Sequence, residues 1–267
     1  MGLWWKYGRN KYADEFEKCA TADCKFLFPK FSDKLRCNSR IIYQDRPEFS
    51  DYAGKKLLLI GGGGSTNDMD WDKLEDYDYI WSVNHFFLHP ILKNKKVDLV
   101  MLMAEPDINS KEWLDYRNKF KPIVGFEINE KWVGHKFDDY ENYFCMHTYV
   151  YSMLGACVRM IEFACELGVS SIDFTGLDGI QSILKGKHAF EPGKTTLPSM
   201  LSKLAQYDMH NLKNDDLSIT YDNSVKLFRA SYRSFWGRIT EDFPDVLFKN
   251  LGGGEEYHEI GVRGNSV

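Results

Sequence analysis

Residues 57–66, Leu-Leu-Leu-Ile-Gly-Gly-Gly-Gly-Ser-Thr, constrain the fold more than any other stretch. Four apolar residues run into four glycines and two hydroxyl residues, the pattern of a short buried strand that ends near Ile60 and opens into a loop. Glycine reaches backbone angles that Cβ-bearing residues avoid, so the amides of Gly61, Gly62, Gly63, Gly64 and Ser65 can approach a ligand closely. At the carboxyl end of a central strand, such a loop is suited to cradle a phosphate. No Gly-Lys-Ser/Thr closes it, which excludes a Walker A loop, and no acidic residue ends a second strand as a dinucleotide fingerprint requires. The same glycines also suit a tight strand-to-helix turn with no ligand.

Further strands and helices alternate after this loop. Tyr79–Asn84, Val97–Met103, Pro122–Phe126 and Tyr143–Met146 are short apolar runs, and Asp70–Leu74 has the form of a helix start. In a helix over about 152–167, Leu154, Cys157, Val158, Ile161, Ala164 and Cys165 recur at helical spacing, with Gly168 as its cap. Ser171–Gly176 reads as another strand, 198–209 as a helix, and Leu217–Tyr221 as a late strand. Asp222-Asn223-Ser224 then caps a helix to about residue 236. The alternation predicts a mainly parallel α/β sheet in one domain over 57–240. Residues 1–56, aromatic and basic without a clean period, form an N-terminal appendage, and 241–267 a C-terminal tail.

At 267 residues the chain can bury a substantial core. No apolar run approaches the ~20 residues of a membrane-spanning helix. The first nine residues lack the plan of a signal peptide, and Lys6 departs from a myristoylation signal. A cytoplasmic protein is expected. The six cysteines are expected as reduced thiols, because Cys19, Cys24 and Cys37 lack a fourth partner at zinc spacing. The net charge of −5 argues against generic nucleic-acid binding. It is unevenly spread: residues 1–56 hold 12 basic and 8 acidic side chains, and 185–238 hold 9 and 5. Those two segments could face an anionic partner.

In a parallel sheet the ligand lies outside the carboxyl ends of the strands. Those ends carry the glycine loop, Asn84, Glu105 and Asp107, and Asp178. Asn84 could bond a phosphate or sugar oxygen, or make an Asx turn. Glu105 and Asp107 could bind a sugar hydroxyl, a metal or an acceptor proton, and Asp178 could accept from sugar hydroxyls or cap the next turn. Among the seven histidines, His85 and His89 flank an apolar Phe-Phe-Leu and read as structural. His210 ends a predicted helix. His188, in Gly186-Lys187-His188-Ala189-Phe190, lies in a lysine-bearing stretch that could close over a donor and bring a proton-transfer group with it.

Taken in order, Leu-Ile-Gly-Gly-Gly-Gly-Ser, Trp-Ser-Val-Asn-His-Phe-Phe and Glu-Pro-Asp resemble glycosyltransferase family 42, the bacterial lipo-oligosaccharide sialyltransferases. The later Glu-Leu-Gly-Val-Ser-Ser-Ile-Asp-Phe-Thr-Gly-Leu-Asp-Gly, His-Ala-Phe and Ile-Thr-Tyr-Asp-Asn-Ser extend the resemblance over roughly 57–228. Weaker similarity connects the glycine loop and Gly-Leu-Asp to flagellin-glycosylation and pterin pyrophosphokinase-like proteins. The resemblance implies a single Rossmann-like, GT-A-like domain with a small lid, acting on a nucleotide sugar without an essential metal. It implies nucleotide binding by Gly62, Gly63, Ser65 and Asn84, with Gly176 and Asp178 bordering the nucleotide. Two lid tyrosines of that family correspond to Ile180 and His188, and the family's histidine and its Arg-x-x-Ser element have no counterpart at the matching positions.

The expected reaction is an inverting transfer from a CMP- or UDP-linked sugar to an acceptor hydroxyl, with no cofactor beyond the co-substrate. His188, or else Glu105 or Asp107, would take the acceptor proton. The loop amides, with Lys185 or Lys187, would stabilise the departing phosphate. Lys226, Arg229 and Arg233 fall on one helix face and could bind an anionic acceptor, either a glycan or a hydroxymethylated DNA base. The alternatives are an ATP- and Mg-dependent pterin pyrophosphokinase-like enzyme, with Glu105, Asp107 and Asp178 on the metal, and a non-catalytic nucleotide-binding module. A homo-oligomer is left open.

Overall fold

The computed structural model describes residues 49–102, 108–126, 143–145, 155–178, 187–193 and 235–252. Among the described residues, seven strands form one sheet: β1 Lys56–Ile60, β2 Tyr79–Val83, β3 Leu99–Leu102, β4 Ile123–Phe126, β5 Tyr143–Cys145, β6 Ser171–Thr175 and β7 Leu247–Asn250. Their order is β5-β4-β3-β2-β1-β6-β7, and every pairing is parallel. The α/β class and parallel sheet are as expected.

β1 is buried because the sheet is covered on both faces. Leu57, Leu58, Leu59 and Ile60 are each no more than 1% exposed, so no polar alternation appears along the strand. Burying each side chain contributes about 1.5–3 kcal/mol as an upper estimate. Helix α1, Lys111–Phe120, starts at Ser110, whose side chain accepts from the Trp113 amide. It buries Trp113 and Tyr116 against Phe87 and Phe86, at ring separations of 5.4 and 4.8 Å. Lys121 ends it in the left-handed region at φ 49°.

Helix α2, Ala156–Glu166, packs against β1, β2 and β3, and Phe163 stacks on Trp81 at 5.7 Å. Its apolar spacing was legible, but Arg159, Glu162 and Glu166 are buried as well. Helical turns over 235–242, labelled α3, place Trp236 on Phe174 at 5.2 Å and on Phe248 at 5.5 Å.

Two boundary segments join the domain. Phe49 and Tyr52, from the expected appendage, are buried in the core, and Tyr52 stacks on Tyr79 at 3.9 Å while accepting from Trp81 Nε1 at 3.2 Å. The expected tail supplies the edge strand β7, which pairs with β6 from Ser171↔Leu247 to Phe174↔Asn250. Only Phe248 of its four residues is buried, too little apolar signal to mark a strand in the sequence. The helix expected at 198–209, the strand at 217–221 and the lid residues around Ile180 lie outside the described residues.

The order in which the chain adds strands reverses between β1 and β6. From β1 the chain moves outward through β2, β3, β4 and β5, then returns to the other flank with β6 and β7. The crevice over β1 and β6 is therefore a topological switch point, where parallel sheets bind ligands. The glycine loop follows β1 and Gly176–Asp178 follows β6 at this point.

Candidate active site

The two loops meet through their backbones. The Gly61 and Gly63 amides donate to Thr175 O at 2.9 Å and Gly176 O at 2.8 Å. A Cβ on Gly61 would lie 2.7 Å from Gly176 O and 3.2 Å from Cys157 Sγ, and one on Gly63 would lie 2.7 Å from Asp178 Oδ2. Gly176 adopts φ +72°, and a Cβ there would run into Gly61 O and Thr66 Oγ1. Close backbone approach is thus one reason for the glycines.

Ser65 closes the junction. Asp178 Oδ2 accepts from the Ser65 amide at 2.6 Å, and Asp178 Oδ1 accepts from Ser65 Oγ. Ser65 Oγ in turn accepts from the Gly176 amide at 3.0 Å, and Thr66 Oγ1 donates to Gly61 O at 2.8 Å. Both Ser65 and Asp178 are buried. Each Asp178 carboxylate oxygen accepts from Ser65, so the pair shapes the loop. The amides of Gly61, Gly63 and Ser65 are likewise engaged inside the protein, which narrows the expected phosphate cradle. Gly62 and Gly64 are the half-exposed members, and among the described residues nothing accepts from the Gly62 amide.

His188 covers Gly62. The Ala189 amide donates to Gly62 O at 2.8 Å, and a Cβ on Gly62 would lie 2.6 Å from both Cε1 and Nε2 of the imidazole. The ring packs edge-on against Phe190 at 5.8 Å, and Lys187 beside it is exposed. The Glu191 amide donates to His188 Nδ1 at 3.1 Å. With Nδ1 accepting, the neutral imidazole carries its proton on Nε2. That tautomer suits a hydrogen-bond donor to an oxyanion.

Asn84 directly follows β2 at φ 47°, in the left-handed region that asparagine tolerates better than most residues with a side chain. The turn presents His85, whose Nδ1 lies 3.0 Å from Glu191 Oε2. This contact was missed in the sequence reading. The available signal was a histidine directly after a strand-end asparagine, but its partner is more than a hundred residues away. His89 is structural, as expected. It is buried, its Nδ1 accepts from the Ile91 and Leu92 amides at 3.3 Å each, and its Nε2 lies 3.3 Å from Asn67 Oδ1. Burial holds its pKa below the ordinary 6.5. Burial of its sulfur beneath Gly61 pushes the Cys157 thiol up to about 12.

The structure therefore gathers Gly61–Ser65, Asn84, Gly176, Asp178, Lys187 and His188 at the carboxyl ends of β1, β2 and β6. Glu105, Asp107, Lys185, His210, Lys226, Arg229 and Arg233 lie outside the described residues. Among the described residues, no three His, Cys, Asp or Glu side chains form a group that could hold a metal ion, and no helix is long and apolar enough to cross a membrane.

No protein-family model matches the chain, and no curated protein does. Solved structures do. The sialyltransferase CstII from Campylobacter jejuni in complex with a substrate analogue, CMP-3FNeuAc, is 15% identical with a TM-score of 0.51, covering 77% of this chain and 85% of that one. CstII in complex with trisaccharide acceptor and CMP is 14% identical with a TM-score of 0.50, covering 79% and 86%. The likeness shows a shared fold, the one expected from the family 42 resemblance.

Proposed function

We propose that the protein is a glycosyltransferase that moves a sugar from a CMP- or UDP-linked donor to an acceptor hydroxyl by a single displacement. The carrying observation is the half-exposed Gly62 of the glycine loop at the switch point, with the His188 imidazole directly over it. The Gly62 amide, His188 Nε2–H and Lys187 offer three donors to a departing phosphate, in the electrostatic role that transition-state stabilisation requires. CMP is the favoured nucleotide, because the solved structures that share this fold hold it. The family resemblance puts His188 at the place of a tyrosine that assists the leaving phosphate, which agrees with the tautomer read from its hydrogen bond.

The transfer uses no metal in this reading. Asp178 is committed to Ser65, so it is not offered to a cation. The acceptor is a glycan hydroxyl, by analogy with the trisaccharide in the second structure. If Lys226, Arg229 and Arg233 instead serve hydroxymethylated DNA, acceptor binding will weaken steeply with salt.

A thermal-shift screen of CMP, UDP, GDP, ADP and ATP in the presence of Mg²⁺, with and without EDTA, tests the reading. Stabilisation by CMP or UDP that survives EDTA is expected. Stabilisation by ATP with Mg²⁺ alone would overturn it in favour of a pyrophosphokinase-like enzyme.

A further inference from the structure

Two histidines share one glutamate at the mouth of the site, and they use it in opposite ways. The main-chain N–H of Glu191 donates to His188 Nδ1, which places the His188 proton on Nε2. The Glu191 carboxylate instead faces His85 Nδ1 at 3.0 Å. A carboxylate only accepts, so His85 Nδ1 carries a proton, and the neutral ring keeps its lone pair on Nε2. Among the described residues nothing bonds His85 Nε2.

We propose that His85, oriented by Glu191, is the general base of the transfer, an inference that rests on the glycosyltransferase reading above. A carboxylate on Nδ1 fixes the tautomer that leaves Nε2 able to take a proton, and it stabilises the imidazolium that forms. His85 has the placement this role needs. The left-handed turn at Asn84 presents it at the carboxyl end of β2, beside the glycine loop that follows β1. Its side chain is 14% exposed and that of Glu191 25%, so the pair is partly shielded yet open to a ligand.

In the step proposed, the acceptor oxygen forms a bond to the anomeric carbon as the bond from that carbon to the phosphate oxygen breaks. The electron pair leaves with the nucleotide, CMP for a CMP-linked donor. The acceptor proton passes to His85 Nε2, giving an imidazolium paired with the Glu191 carboxylate. His188 Nε2–H donates to the leaving phosphate. The same glutamate thus sets one histidine as donor and the other as acceptor. Glu191 is a positioning residue in this scheme.

The test uses the whole chain, with CMP-linked sialic acid as donor and CMP release as readout, with and without a trisaccharide acceptor. Long-range nitrogen–proton NMR reports both tautomers without turnover: His85 protonated on Nδ1 and bare on Nε2, His188 the reverse. His85→Asn should lower kcat on the order of 10²- to 10⁴-fold, with CMP binding and unfolding temperature retained. Added imidazole should restore part of the turnover of His85→Ala. Glu191→Gln should lower kcat less than His85→Asn, with KM for the donor unchanged. Wild-type turnover with His85→Asn within about twofold of it would overturn the base assignment and leave the transferase reading standing. A proton on His85 Nε2 would do the same. A wild-type protein that binds neither CMP nor UDP, and releases neither from a linked sugar, would overturn the transferase reading, and the base assignment with it.

Discussion

Ser65 gives both its amide and its hydroxyl to the one carboxylate of Asp178, 113 residues away, and this joins the loop after β1 to the loop after β6. The pair closes the bottom of the switch-point crevice. In the proposed reading the donor sits above it, against Gly62, Gly64 and His188.

Removing either partner should destabilise the fold. Ser65→Ala leaves a buried carboxylate oxygen and the Gly176 amide short of a partner, and Asp178→Asn replaces an acceptor with a donor facing the loop. Each should cost about 1.5–3 kcal/mol in urea unfolding, the range for hydrogen bonds to a charged group. The double variant should cost less than the sum, because the two residues act on one junction. Additive losses would show that each is held independently.

Two glycines should respond to alanine with opposite signs. Gly176→Ala meets both an unfavourable positive φ and the backbone of Gly61, so losses on the order of 2–5 kcal/mol are expected. Gly237 sits exposed in α3 with nothing within 4 Å of an added Cβ. There alanine should stabilise by roughly 0.5–1 kcal/mol, by reducing the freedom of the unfolded chain. Equal responses would contradict the distinction.

Gly62→Ala should damage turnover more than folding. Its Cβ would collide with the His188 ring, a side chain that can swing away, rather than with backbone. A displacement of that donor by about 1 Å is expected to cost on the order of 10²-fold in kcat. Denaturant midpoints close to wild type should accompany the loss. A large stability change with normal specific activity would place Gly62 in the scaffold instead.

His89 should make stability depend on pH. Its folded pKa is held below the ordinary 6.5 by burial, so the unfolded chain binds a proton first as pH falls. The contribution is complete above the unfolded value, declines below it, and is lost as pH passes through the lower folded value. Protonation also removes the Nδ1 acceptor of the Ile91 and Leu92 amides. His89→Gln should narrow the difference between urea midpoints at about pH 7.5 and about pH 5. An unchanged difference would assign the pH dependence to other groups.

The strands were legible where burial writes an apolar run, as in Leu57–Ile60, Tyr79–Val83 and Leu99–Leu102. β7 was not, because an edge strand with one buried side chain carries no such run. Helix α1 was overlooked although Ser110, Trp113 and Tyr116 mark its cap and inner face. The glycine loop was found, but its division was not. Which amides are spent on the end of β6 and the loop after it depends on Gly176 and Asp178, far away in sequence. The histidine roles depend on Glu191 for the same reason, since a tautomer is set by a partner that spacing cannot reveal.

The central claim is that a nucleotide phosphate sits over Gly62 beneath His188. Titrating CMP into the isotope-labelled protein, and following backbone amides and histidine ring nitrogens by NMR, tests it directly. Saturable shifts centred on the Gly62 and Gly64 amides and on His188 Nε2, with Gly61, Gly63 and Ser65 moving little, are predicted. Saturable shifts confined to another face, or no response of Gly62 and His188, would contradict it.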